Sequence, residues 1–175
     1  MADIVRRQIQ NEAGRVMMER FLPKPVVEAA FETPLELLQN PRLCNVTIMV
    51  TDLRNFTHFA ETLAPVEVLK FLNQLQGFQS AMVEAQGGWV NKFMGDGMLA
   101  VFGAPDPLPN HAENALRAAL AILQDLQSVS PLPLGIGLHS GTVVAGCVGQ
   151  GSRLEFTVIG DTVNVASRLE ALTKQ

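Results

Sequence analysis

The segment NKFMGDGMLAVFG, Asn91 to Gly103, constrains the fold more than any other stretch. Two short apolar runs flank Gly95-Asp96-Gly97, and a tight turn on glycines folds such runs against each other as a hairpin. Placing a charge at that tip, with Lys92 four residues earlier and apolar neighbours around both, is costly unless the charge has a task. Upstream, NVTIMVTDL, Asn45 to Leu53, is β-rich without polar alternation, as expected of a strand covered on both faces. It ends on a second carboxylate, Asp52.

Between these strands, APVEVLKFLNQLQGFQSAMVEAQ repeats Val68, Leu72, Leu75, Phe78 and Met82 at helical spacing, with Pro65 in the first turn. After the hairpin, HAENALRAALAILQDLQ reads as a helix. LPLGIGLHSGTVVAGCVG reads as a strand pair broken at Ser140-Gly141, RLEFTVIG as another strand, and DTVNVASRLEAL as a final helix with Asp161 as N-cap. The order β-α-β-β-α-β, with extra strands afterwards, predicts an α+β fold: a ferredoxin-like core sheet with helices on one face. An N-terminal helical segment precedes it. There Val5, Ile9, Ala13, Val16 and Arg20 share one side of a helix that LPKP interrupts, and PVVEAAFETPLELLQN forms a second helical piece. This divides the chain into a helical linker or signalling segment, residues 1–44, and a main domain, residues 45–175.

With 175 residues, 47% of them apolar, the chain can bury one good core. No apolar run approaches the ~20 residues of a membrane span, and the N-terminus lacks a signal-peptide core, so a soluble, cytoplasmic chain without membrane insertion is expected. Cys44 and Cys147 are too few for a disulfide framework and lack zinc spacing. Basic and acidic residues cancel up to Asn45, but 7 Lys+Arg face 11 Asp+Glu beyond it, leaving no basic face for nucleic acid. A phosphate ligand would therefore need metal ions for much of its positive charge.

In a βαββαβ sheet the first strand and the central hairpin are neighbours, so Asp52 and Asp96 can face one site. Two carboxylates and few other ligands suit Mg²⁺ or Mn²⁺, which keep waters and bind substrate phosphates. Alone, the GDG tripeptide reads better as a hairpin turn with a solvated Asp; the second Asp after a buried strand alters that balance. GIGLHSG has neither the spacing nor the strand-helix setting of a dinucleotide fingerprint, and no P-loop is present. Read singly, Asn164 and Arg168 are a surface pair four residues apart, and Thr157 an ordinary strand residue.

Taken in order, RFLPKPVVEAAF, VTIMVTDLRNFT, NKFMGDGMLAVFG, GIGLHSGTVVAGCVG and FTVIGDTVNVASRLE resemble the class III nucleotidyl cyclases, the catalytic domains of adenylate and guanylate cyclases, from about Arg20 to Gln175. The resemblance implies that Asp52, Asp96 and the Leu53 carbonyl hold two divalent cations, Mg²⁺ or Mn²⁺. By the same resemblance Lys92 and Thr157 read the purine, and Asn164 and Arg168 bind the ribose and the reacting phosphate. The implied reaction converts ATP to 3′,5′-cyclic AMP and pyrophosphate. Lys92 can donate to adenine N1 and Thr157 can accept from N6, whereas guanine reverses both, and guanylate cyclases typically carry an acidic residue where Lys92 stands.

A head-to-tail homodimer is also implied, with Asp52 and Asp96 of one chain facing Thr157, Asn164 and Arg168 of the other. The N-terminal helices resemble the link to an upstream sensor or regulatory domain. Asn55 replaces a frequent glycine and is tolerable because Asn accepts turn conformations. Family domains continue past the last residues here with further strands and an arm bordering the nucleotide. A catalytically weak dimerisation or regulatory module is therefore the rival reading, and a guanylate cyclase, disfavoured by Lys92, the third. His139 and Glu155 are expected to be structural.

Overall fold

The computed structural model describes residues 12–19, 22, 24–32, 40–150 and 153–174. Val5, Ile9 and Arg20 of the expected first helix, positions 33–39 of the second, and Gln175 lie outside them. Residues 12–18 are helical, and α1 (Lys24–Glu32) follows, burying Val26 and Val27. The remaining elements are β1 (Arg42–Leu53), a short α2 (Phe56–Glu61), α3 (Pro65–Ala85), β2 (Trp89–Met94), β3 (Gly97–Phe102), α4 (His111–Asp125), β4 (Leu134–Gln150), β5 (Arg153–Ile159) and α5 (Asp161–Leu172).

The five strands form one sheet in the order β2-β3-β1-β4-β5, with antiparallel neighbours throughout. Its first four positions are the ferredoxin-like order, and β5 extends the sheet beside β4. β1 is central, and Val46 to Thr51 are buried without a break, as its non-alternating sequence predicts. Met49 and Leu53 point to one face, where Leu75 and Val83 of α3 and Ala115, Ala118 and Ile122 of α4 cover them. Val46, Ile48 and Val50 point to the other, into a second core with Val26 of α1, Phe156 and Val158 of β5, and Ala166 of α5. The two crossover helices thus share one face, as the fold class requires, while α1 and α5 cover the opposite one.

Two local expectations are corrected. The segment around Ser140-Gly141 is not a break: β4 runs uninterrupted for 17 residues. β1 pairs with it at every position from Arg42 to Leu53, including Val46 with Gly141 and Thr47 with Ser140, so a turn there would sacrifice ladder hydrogen bonds. The glycines serve clearance instead. A β-carbon on Gly137 would overlap the Ala166 carbonyl and the Glu170 amide, and one on Gly141 would lie 2.6 Å from Thr162 Oγ1, so α5 can cross β4 only over glycine. Asp161, expected as an N-cap, is the first helical residue of α5. Gly160 occupies the cap position without a side-chain cap, and Thr162 Oγ1 donates to the Thr142 carbonyl at 2.9 Å, tying the helix start to β4.

Candidate active site

The β2–β3 turn brings Asp96 beside the end of β1. Gly95 takes φ 68°, a left-handed conformation suited to glycine, and the ladder between β1 and β3 runs to Thr51 opposite Met98. One residue further along β1, Asp52 enters the same pocket as Asp96, with Leu53, Arg54, Asn55 and Lys174 around them. Leu53 N–H donates to Asp96 Oδ2 at 3.1 Å, locking the turn onto the strand end. Asn55 caps α2 at φ 59°, the turn conformation expected of it.

Burial raises the Asp96 carboxyl above its ordinary pKa, and the negative charge of Asp52 adds to that. Hydrogen bonds from its own amide and that of Leu53, and the positive charge of Lys174, oppose the rise. Asp52 Oδ2 lies 2.9 Å from Lys174 Nζ and 3.6 Å from an Arg54 guanidinium nitrogen. Two carboxylates that strain against each other and draw in cations form a fitting donor set for a hard divalent ion. Among the described residues no cluster of three or more His, Cys, Asp and Glu side chains supplies a complete protein cage, so water and phosphate oxygens would complete the coordination.

The sequence pattern did not expose what holds this corner. Arg54, its side chain 16% exposed, lies 2.8 Å from Glu170 Oε1, whose side chain is 7% exposed. Another guanidinium nitrogen donates to the Glu170 carbonyl at 3.3 Å and to Thr173 Oγ1. The end of α5 is therefore bound to the residue that follows β1, two positions beyond Asp52. Nothing local in the sequence marks Glu170 as buried.

Lys92 and Thr157 are brought to a second place, the seam where β2 meets β5 although the two are opposite edges of the sheet. Thr157 Oγ1 donates to Asn91 Oδ1 at 3.0 Å, Asn91 Nδ2 donates to the Phe156 carbonyl at 3.2 Å, and the Trp89 and Phe156 rings stand 5.8 Å apart. Lys92 Nζ lies 2.5 Å from Glu155 Oε1. Glu155, expected to be structural rather than catalytic, is the ion-pair partner of the lysine.

Asn164 and Arg168 share one exposed face of α5, and each points a nitrogen at Asp161 Oδ1 from 3.5 Å. At 3.6 residues per turn, Arg168 is about 200° and Asn164 about 240° around the helix from Glu170. Because Glu170 faces inward to Arg54, this pair faces away from the Asp52–Asp96 pocket of its own chain, and neither residue lines that pocket. Cys44 and Cys147 are free and half-buried, and burial raises both thiol pKa values. No helix among the described residues is long and apolar enough to cross a membrane.

The family model for the adenylate and guanylate cyclase catalytic domain matches residues 38–175. An adenylate cyclase of Anabaena cylindrica is 36% identical over 168 residues, covering 90% of this chain and 33% of the relative. Adenylate cyclase 1 of Rhizobium meliloti (strain 1021) is 42% identical over 138 residues, covering 74% of this chain and 21% of the relative. The chain therefore spans a third or less of the length of these two curated relatives. The crystal structure of the guanylyl cyclase Cya2 superposes with a TM-score of 0.73 at 34% identity, covering 77% of this chain and 73% of that one.

Proposed function

The chain belongs to the class III nucleotidyl cyclase catalytic domains, and we propose that it is an adenylate cyclase that converts ATP to 3′,5′-cyclic AMP and pyrophosphate in a head-to-tail homodimer. The observation that carries this reading is the convergence of Asp52, at the end of β1, and Asp96, in the β2–β3 turn, on one pocket. Cyclase domains of this class use divalent cations. The donor set suits Mg²⁺ or Mn²⁺ held by Asp52, Asp96 and the Leu53 carbonyl. When bound, such cations supply positive charge that acidifies the ribose 3′-hydroxyl and steadies the triphosphate.

The chain's own side chains then bind and orient. Lys92 donates to adenine N1 while Thr157 accepts from the N6 amino group. Asn164 positions the ribose so that its 3′-oxygen lies in line with the α-phosphorus. As the 3′-hydroxyl gives up its proton to water and its oxygen bonds to the α-phosphorus, the bond from that phosphorus to the bridging oxygen breaks and pyrophosphate leaves with that oxygen. Charge grows on the phosphoryl oxygens, and Arg168 donates to them. The outward face of α5 supports assembly across two chains, since Asn164 and Arg168 turn from their own carboxylates. Lys92 favours ATP over GTP because guanine presents N1 as a donor. In the fuller protein of which such domains are part, the N-terminal helical segment links the domain to an upstream sensor or regulatory module.

Incubation of the purified protein with ATP and Mn²⁺ should yield 3′,5′-cyclic AMP and equimolar pyrophosphate. Absence of the cyclic product at every protein concentration that permits dimerisation would favour the regulatory-module reading instead.

A further inference from the structure

Asn91 sits in a β-bulge. The β2–β3 ladder pairs Val90 with Ala100 and Lys92 with Leu99, leaving Asn91 with no opposite residue. A bulge re-aims side chains that would otherwise alternate, and here Asn91 and Lys92 both reach β5, Lys92 to Glu155 and Asn91 to the next two residues. The orientation of the Asn91 amide follows from the chemistry of its partners. A backbone carbonyl only accepts, so the amide nitrogen faces Phe156 O, and the amide oxygen is left facing the Thr157 hydroxyl. That oxygen also only accepts. Thr157 therefore has to commit its single proton to Asn91.

We propose that Asn91 is a specificity-determining positioning residue: by holding the Thr157 proton it turns that hydroxyl into an acceptor toward the base and so selects a 6-amino purine over a 6-oxo purine. The inference rests on the reading of Lys92 and Thr157 as the purine site. A threonine hydroxyl free to rotate accepts from an amino group or donates to a carbonyl, and discriminates little between them. Once its proton is held, a 6-amino group still finds a lone pair, while a 6-oxo group meets lone pairs with its own. A polar group left without a partner in this way weakens binding on the order of 10- to 100-fold. Lys92, reading position N1, supplies a separate part of the preference.

Binding can be separated from turnover with 3′-deoxyadenosine and 3′-deoxyinosine triphosphates, which lack the attacking hydroxyl, in competition against a fluorescent ATP analogue. The wild type should prefer the adenine nucleotide. In Asn91→Ala the preference should fall about tenfold, chiefly through tighter inosine binding. Asn91→Asp keeps an oxygen toward Thr157 and should retain the preference even where overall affinity drops. In a Thr157→Val background the Asn91→Ala change should leave the ratio untouched, because the effect runs through the hydroxyl. If Asn91→Ala weakens both nucleotides equally, or shifts the ratio just as much in the Thr157→Val background, Asn91 is only a strap between β2 and β5 and the proposal is wrong. A wild type that binds both nucleotides without preference overturns this proposal alone; one that binds neither overturns the nucleotide-site reading along with it.

Discussion

Replacing Arg54 by methionine should destabilise the folded chain by about 3 kcal/mol, the low end of the roughly 3–5 kcal/mol seen when one partner of a buried ion pair is removed. The magnitude follows from what is left behind. The Glu170 side chain is only 7% exposed, and among the described residues no other cation lies within ion-pair distance of it. Water reaches Arg54 at 16% exposure, and the approach of 2.8 Å is an ion pair rather than an aligned hydrogen bond, which keeps the loss at the low end. Glu170→Gln should cost less, about 1–2 kcal/mol, since Arg54 retains Asp52 at 3.6 Å and the Glu170 carbonyl. The double change to methionine at both positions should cost less than the sum of the single methionine changes by at least ~1 kcal/mol, because it leaves no orphaned charge. Urea unfolding followed by the fluorescence of Trp89, the chain's one tryptophan, measures all of these. For a chain of this size the Arg54→Met loss corresponds to roughly 6–12 °C in Tm. A loss below ~1 kcal/mol for Arg54→Met, or strictly additive single changes, would show that the pair does not bind α5 to the end of β1.

The remaining predictions concern the site and the sheet. Asp96→Asn should abolish cyclic AMP formation yet melt higher than the wild type in metal-free buffer at neutral pH. The sign follows from the raised pKa of Asp96 in the folded chain: its ionised form destabilises once pH rises above the ordinary carboxylate value, and the advantage of Asn should close as pH falls below that value. Added Mn²⁺ should raise the Tm of the wild type and not that of Asp96→Asn; an equal rise in both would remove Asp96 from the metal site. If the proposed head-to-tail dimer forms, mixing inactive Asp96→Ala with inactive Asn164→Ala should restore activity, since one site of the mixed dimer would collect both lesions and the other none. Continued inactivity despite demonstrated subunit exchange would refute the head-to-tail arrangement. Gly137→Ala should cost about 1–3 kcal/mol because its β-carbon displaces α5, and a neutral outcome in urea unfolding would mean that α5 does not pack on Gly137 closely enough to exclude a β-carbon.

Much of this protein is local in character, and that part was legible in its residues. Non-alternating apolar β-formers specify β1, the 3.6-residue recurrence from Val68 to Met82 specifies α3, and glycines around Asp96 specify the hairpin, because each signal depends on neighbours a few positions away. Once the βαββαβ order was read, the adjacency of β1 and β3 followed from topology, and with it the meeting of Asp52 and Asp96. Contacts whose partners are far along the chain and carry no periodic mark had to wait for the tertiary structure. Ser140-Gly141 resembled a turn until β1 was laid against it, and the glycines of β4 acquired their purpose only when α5 crossed them. Arg54 meets Glu170 across 116 positions, and Asn91 meets Thr157 across 66 by way of a bulge that no composition signals. The sequence by itself thus determined most of the helices and strands, though not the continuity of β4, and which carboxylates come together, since propensity, periodicity and turn chemistry act over short spans. Packing alone decided which charges are buried, which strand edges meet and where the Thr157 proton points, because those outcomes depend on surfaces that exist only after the sheet has closed on its helices.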